Sequence, residues 1–491
     1  MPFNSLEFIA FLMVVVSGYH LCPLRWRLWY LFASSYLFYC SWSVTFAGLL
    51  LALSGFAFVV ASKIAAEPVE RRRLRWLAGG VIVLLLPLVM LKYASIPGAA
   101  LARAIPGIWS AWLTAPNAIA AVGISYYTFK LVSYVVDIYW QRLEPARRFL
   151  SVATYAAFFP QILSGPIQRA GSFGAEIAAF TSVSPELMSS GLRLMLFGFF
   201  KKLVVADRLG VVVDQIFTHP RAYSGVVLAV GSYLFAIQLY ADFSGITDIA
   251  IGTGRLFGIS SPRNFDCPFY AENIQEFWRR WHMTLTSWLS EYLFTPLRVA
   301  SRAWGQAGLV ASIVINMVAI GMWHGAAWTF AVFGLIHATY MVASSLTMRQ
   351  RKRWLLRWRA WQCVHAVLGP LITFNMVVAS MVFFRATTVT DAWHVVHGAV
   401  AGLVGAVVSH GLHSGGTAGW HHLKWSAGDV VVVAVALVIM ESVHVLQRRR
   451  LLSPVVREIP GWIRWAGYFA LGFAIVIWGE SGSQQFIYVR F

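Results

Sequence analysis

The residues best suited to chemistry are two histidines set among tryptophans. The first is His324, in Trp323-His324-Gly325-Ala326-Ala327-Trp328, between two strongly apolar runs. An ionisable group inside an apolar segment is costly and marks function by default. A neutral imidazole can take a proton from a hydroxyl near pH 7, which is what acyl transfer to an alcohol requires. Gly321, Gly325, Ala326 and Ala327 leave room beside the ring for another helix or a ligand. The competing reading is a core histidine hydrogen-bonded to a neighbouring helix, and the pattern alone leaves both open. His337 follows thirteen positions later. On an unbroken helix that is ~20 Å along the axis, so packing is the better reading for it.

The second histidine, His282, closes Glu276-Phe277-Trp278-Arg279-Arg280-Trp281-His282. Trp278 and His282 are four apart, so they stack on one helix face. Arg279 and Arg280 suit anionic groups such as the phosphates of a thioester cofactor. An interfacial amphipathic helix with an aromatic belt has the same composition, and the two readings are compatible. A third place is Tyr240-Ala241-Asp242-Phe243-Ser244-Gly245, running on to Asp248 and Arg255. Buried carboxylates need partners, so an ion pair or hydrogen-bonded network between spans is favoured there over a direct chemical role. Cys22, Cys40, Cys267 and Cys363 show neither CxxC nor zinc spacing; they read as small buried residues, with no metal site expected.

These groups must be carried by membrane helices. Of 491 residues, 58% are hydrophobic and 12% charged, against about 25% charged in a soluble domain. Mean hydropathy is +0.66. Apolar runs recur at 6–20, across 28–62, and at 77–90, 118–138, 187–206, 222–241, 307–323, 326–346, 365–385, 393–409, 428–446 and 462–479. The net charge of +19 does not indicate nucleic-acid binding. The cations sit in short clusters between apolar runs, as in Arg71-Arg72-Arg73, the stretch 349–359 and Arg448-Arg449-Arg450, which is the positive-inside pattern. Residues 6–20 read as a retained first span, having no basic segment before them and no cleavage site after. The segment 96–116 reads as interfacial. Phe158-Phe159-Pro160 through Gly165-Pro166, broken by two prolines, reads as re-entrant or buried. The loop 410–425 holds His410, His413, His421 and His422 with one cation, Lys424, and is expected to face away from the cytoplasm. The expectation is an all-α polytopic membrane protein of about 11–13 transmembrane or re-entrant helices, forming one domain over residues 1–491.

Several of these stretches together resemble the bacterial alginate and exopolysaccharide O-acetyltransferase branch of the membrane-bound O-acyltransferase family. They are Val122-Gly123-Ile124-Ser125-Tyr126-Tyr127-Thr128-Phe129, Phe158-Phe159-Pro160 to Gly165-Pro166-Ile167, and Tyr240-Ala241-Asp242-Phe243-Ser244-Gly245. The densest is Asn264-Phe265 through Phe277-Trp278-Arg279-Arg280-Trp281-His282, Thr284-Leu285 and Trp288-Leu289 to Tyr292-Leu293, followed by Trp323-His324-Gly325. The likeness runs in order to about Tyr340. One departure stands out. Members usually carry a glycine pair after the Tyr-Leu-x-x-Pro-Leu motif, whereas here Pro296-Leu297 is followed by Arg298-Val299-Ala300.

The resemblance implies a helical funnel around a central tunnel, with His324 catalytic and His282 the second important histidine. It implies a cytoplasmic acyl donor, acetyl-CoA in this branch, used as a substrate with no permanently bound cofactor. The acyl group would pass across the bacterial inner membrane to an exopolysaccharide such as alginate, directly or through a periplasmic acetyltransferase partner. Trp323, Trp278, Arg279, Arg280, Trp281, Asp242 and Ser244 are the candidates for contact with donor or acceptor. Membrane lipids are expected around the chain and no nucleic acid. Three rivals remain open at this stage: a transporter or flippase, a silent scaffold of a polysaccharide-export complex, and an acyltransferase acting on teichoic acid, lipid or protein.

Overall fold

The computed structural model describes residues 1–93, 123–178, 183–357, 359–408, 423–449 and 458–480. The regular elements among the described residues are all helices, with no strand among them. Nine of their helices are long and apolar enough to cross a membrane. The chain is a multi-pass membrane protein. Contacts group its residues into two compact units, one of Met1–Gly198 with Ile246–Arg263, the other of Phe199–Gly245 with the chain from Asn264 onward.

The first unit contains α1 (Leu6–Leu21), α2 (Arg27–Cys40), α3 (Val44–Ala66), α4 (Glu70–Tyr93) and α5 (Ile124–Tyr139), then the short α6 (Phe149–Ala157), α7 (Phe159–Ile162) and α8 (Ala170–Ala178), and α9 (Pro185–Phe199) up to its last residue. Ser5 and Ser43 accept hydrogen bonds from the third residue of α1 and α3, satisfying backbone donors that no helix can satisfy internally. The stretches read as spans at 6–20 and within 28–62 include helices of only 16 and 14 residues. The segment read as re-entrant is buried throughout. Its irregular backbone is held by side chains. Lys130 Nζ donates to Gln161 Oε1 at 2.9 Å, and Gln161 Nε2 donates to Gln168 Oε1 at 2.6 Å and Ser261 Oγ at 2.7 Å. Gly123, at φ +84°, lets the start of α5 press on the Ile162 carbonyl, where a Cβ would lie 2.2 Å from the oxygen. Residues 96–116 and His410, His413, His421 and His422 lie outside the described residues.

The second unit begins with a π-helical stretch, Phe200–Ala206, that runs straight into α10 (Asp207–Thr218). Next is α11 (Gly225–Leu256), whose first 21 residues, to Gly245, belong here. It is the most buried span, at 72%. Two short helices, α12 (Ile274–Arg280) and α13 (Met283–Leu289), lead through a second π-helical turn to α14 (Thr295–Ala300). Then come α15 (Gly305–His324), α16 (Trp328–Arg357), α17 (Arg359–Arg385), α18 (Val389–Val408), α19 (Ala427–Arg448) and α20 (Gly461–Trp478). Only 6% of α20 and 11% of α18 is buried, and Trp462 and Val476 are exposed. Such surface suits hydrocarbon rather than water. Of the cysteines, only Cys267 is buried as expected. Cys22 and Cys40 are half-buried, and Cys363 is exposed on a membrane helix where an apolar thiol costs nothing.

Candidate active site

His324 is the last residue of α15, and the chain turns back at once through Gly325 into α16. The two helices pack backbone to backbone. A Cβ on Gly321 would lie 2.2 Å from the Phe330 carbonyl oxygen, and one on Gly334 would lie 2.7 Å from that of Met317. A Cβ on Gly325 would collide with the Phe330 ring at 2.3 Å. The small residues around His324 are therefore used by the neighbouring helix, one of the two uses expected for them. The imidazole is 5% exposed. It meets Trp323 edge to face at 5.0 Å, Phe384 of α17 at 4.9 Å, and Phe330 at 6.4 Å.

His282 sits where α12 has ended and α13 begins. Its backbone is left-handed, at φ +43° and ψ +51°. For a residue other than glycine this costs of order 1–3 kcal/mol and persists only where the surroundings enforce it. They do so by clamping both sides of the turn to one strip of chain. Met283 N donates to the Asn264 carbonyl at 2.8 Å, Asp266 N to the Arg280 carbonyl at 3.0 Å, and Thr284 Oγ1 to Asn264 Oδ1 at 2.6 Å. The break at Trp281 overturns the expectation that Trp278 and His282 share one helix face, since the turn sends the two rings apart. The His282 ring meets Phe243 of α11 at 4.7 Å and Trp323 at 5.5 Å. Both histidines thus meet the one indole of Trp323. His282 lies outside the nine spans, and burial pushes its imidazole down to about 3, so that the ring is neutral.

Trp278 goes elsewhere. Its Nε1 donates to His337 Nδ1 at 3.2 Å, and His337 Nε2 faces Ser380 Oγ at 2.9 Å. The Ser380 hydroxyl donates to the Val377 carbonyl, so it accepts from His337, which fixes the imidazole as the Nε2–H tautomer. Both ring nitrogens are engaged, and His337 joins α12, α16 and α17. Trp281 stacks on Phe277 at 5.5 Å and meets Phe265 edge-on at 5.1 Å. Arg280 pairs with Glu276 at 2.5 Å. Arg279 is exposed and forms no ion pair among the described residues.

Asp242 and Ser244 lie in a charge network whose other half was not singled out in the sequence. Lys202 Nζ sits 2.8 Å from Asp242 and 2.6 Å from Asp207, and Lys201 Nζ donates to Ser244 Oγ at 3.0 Å. All five side chains are buried. Lys202 between its two carboxylates, with Lys201 on Ser244 beside it, is a buried network of the kind that the residues around Asp242 suggested. The missed signal was plain: Lys201-Lys202 stands inside the apolar run 187–206, and cations at that depth call for partners. The π-helical stretch that turns both lysines inward is of the kind frequent at functional sites. Asp248 and Arg255 belong to the other unit, where Arg255 donates to Ser190 Oγ at 3.3 Å.

With this geometry in view, comparison with known proteins is informative. Residues 141–385, which hold both histidines, match the profile described as MBOAT, membrane-bound O-acyltransferase family. The chain is 31% identical over 399 residues to the probable alginate O-acetylase AlgI of Azotobacter vinelandii, covering 80% of this chain and 77% of that one. It is 31% identical over 442 residues to the peptidoglycan O-acetyltransferase of Helicobacter pylori, covering 83% and 81%. It is 29% identical over 282 residues to the teichoic acid D-alanyltransferase of Bacillus subtilis, covering 55% and 69%. The chain belongs to the membrane-bound O-acyltransferase family and is an O-acyltransferase.

Proposed function

We propose that this protein moves an acetyl group from cytoplasmic acetyl-CoA across the bacterial inner membrane for O-acetylation of an exopolysaccharide of the alginate kind, directly or through a periplasmic acetyltransferase partner. The observation that carries this reading is the cluster of His282 and His324 on the Trp323 indole, buried in the family segment and held by strained and close-packed backbone. The alginate and peptidoglycan O-acetyltransferases among its relatives support acetyl as the group and a polysaccharide as the acceptor.

In this mechanism His324 is the general base. Its imidazole takes the proton of an acceptor hydroxyl, the oxygen bonds to the thioester carbonyl carbon, the C–S bond breaks, and the leaving thiolate recovers the proton from the imidazolium. A thiolate leaves well, so no protein nucleophile is needed. Cys267 is a poor one in any case, because burial pushes its thiol up to about 11 and keeps it protonated. His282, neutral and edge-on to Trp323, orients that indole and whatever rests against it. Arg279, exposed and outside any ion pair among the described residues, offers a guanidinium to a donor phosphate, whereas Arg280 is already paired.

The test is turnover of labelled acetyl-CoA by the purified protein with an oligosaccharide acceptor. His324→Ala should lower kcat by about 10²- to 10⁴-fold with normal membrane insertion. Undiminished transfer in that variant would remove His324 from the mechanism. A wild-type protein that never consumes the thioester would point to transport or scaffolding instead.

A further inference from the structure

A chain of hydrogen bonds beyond the family segment reaches the strained turn at Trp281 and His282. On α19, His444 Nδ1 lies 3.1 Å from Glu441 Oε1, one turn away on the same helix face. His444 Nε2 lies 3.1 Å from the hydroxyl of Tyr240 on α11. A carboxylate oxygen can only accept, so Nδ1 carries the hydrogen; in the neutral ring Nε2 then accepts and the tyrosine hydroxyl donates. Glu441 is held in turn by the Tyr270 hydroxyl at 2.6 Å, with the Arg448 guanidinium over the Tyr270 ring. His444 and Tyr240 are buried, while Glu441 is half-exposed.

Tyr240 is three residues from Phe243, so both rings leave the same face of α11. The Tyr240 ring packs against Phe265 at 5.5 Å and Trp281 at 6.3 Å, and Phe243 packs against His282 at 4.7 Å. The hydroxyl bond to His444 fixes how the Tyr240 ring is turned, and that ring is part of the wall holding Trp281 in place. We propose that Glu441, His444 and Tyr240 are positioning residues for acyl transfer, a carboxylate–imidazole–phenol chain that locks the Trp281–His282 turn in its productive geometry. Helix α19 thereby serves the reaction although it lies outside residues 141–385. The inference rests on the acyl-transfer reading of His282 and His324.

The experiment compares wild type, Tyr240→Phe, His444→Gln, His444→Ala and the Tyr240→Phe/His444→Ala pair in acetyl-CoA turnover, with His324→Ala as the reference for the reaction itself. Tyr240→Phe keeps the ring and removes only the hydroxyl. It should lower kcat by about ten- to a hundredfold with KM for the donor unchanged, as expected when reacting groups are displaced without loss of binding. His444→Ala should match it, the double variant should lose no more than either alone, and His444→Gln, which can still meet the phenol, should recover part of the rate. If the chain merely staples two helices, unfolding midpoints fall while kcat of the folded enzyme stays at the wild-type level, and the proposal is overturned. Tyr240→Phe preserves the question should His444→Ala fail to fold. Loss of turnover in His324→Ala together with wild-type kcat in Tyr240→Phe sinks the positioning chain alone. Undiminished turnover in His324→Ala sinks the acyl-transfer reading beneath it.

Discussion

At the residue scale the two histidines differ in kind. His324 ends a regular helix and is enclosed by aromatic rings, whereas His282 is defined by its backbone. A left-handed residue tolerates glycine or asparagine and resists β-branching. His282→Gly should therefore lose activity and, although it empties a buried ring site, be destabilised less than a β-branched replacement. His282→Val should lose activity and also stability, by about 1–3 kcal/mol, read as a lower unfolding midpoint in detergent. Equal midpoints for the two variants would show that the backbone at 282 is unstrained. Cys267→Ala tests the absence of a protein nucleophile. Its backbone is also left-handed, but alanine adopts that conformation at the same cost as cysteine. Turnover should persist, and no acetyl-thioester should be trapped on the chain. Of these particulars the sequence carried His324 and His282, because histidine within apolar or tryptophan-rich context is visible by composition. It could not carry the strain at His282. The left-handed turn is set by contacts with Asn264 and Asp266, and a local period of four residues suggested an unbroken helix instead.

At the scale of elements, the site depends on buried charge as much as on apolar packing. Lys202 holds Asp207 to Asp242 and so ties the π-helical stretch to α11. Lys202→Met leaves two carboxylates buried without their cation, which should cost about 3–5 kcal/mol or prevent folding. Adding Asp207→Asn and Asp242→Asn removes both stranded charges and should restore most of the lost stability, read from the unfolding midpoint and the monodisperse yield. A triple variant no better than the single would mean that the network supplies something other than charge balance. The apolar runs placed most of these elements correctly, with α15 to α20 falling where hydropathy put them. The breaks inside elements were not legible. The π-helical stretch, the stop at Trp281 and the closeness of Tyr240 to His444, 204 positions apart, are settled by which helices meet. A single sequence lists the partners without pairing them.

On the scale of the whole molecule, composition alone established the class, since a chain with so few charges and so many apolar runs has no stable form outside a bilayer. On the proposed reading the cation clusters between spans face the cytoplasm, the side from which acetyl-CoA would arrive. The account requires the acyl group to enter from that side and leave on a hydroxyl at the other. Vesicles containing the purified protein in one orientation, with labelled acetyl-CoA outside and an oligosaccharide acceptor sealed inside, measure this directly. Labelled acetyl esters should form on the enclosed acceptor with wild-type protein and not with His324→Ala. Labelling that occurs only when donor and acceptor share a compartment, or that survives His324→Ala, would contradict it.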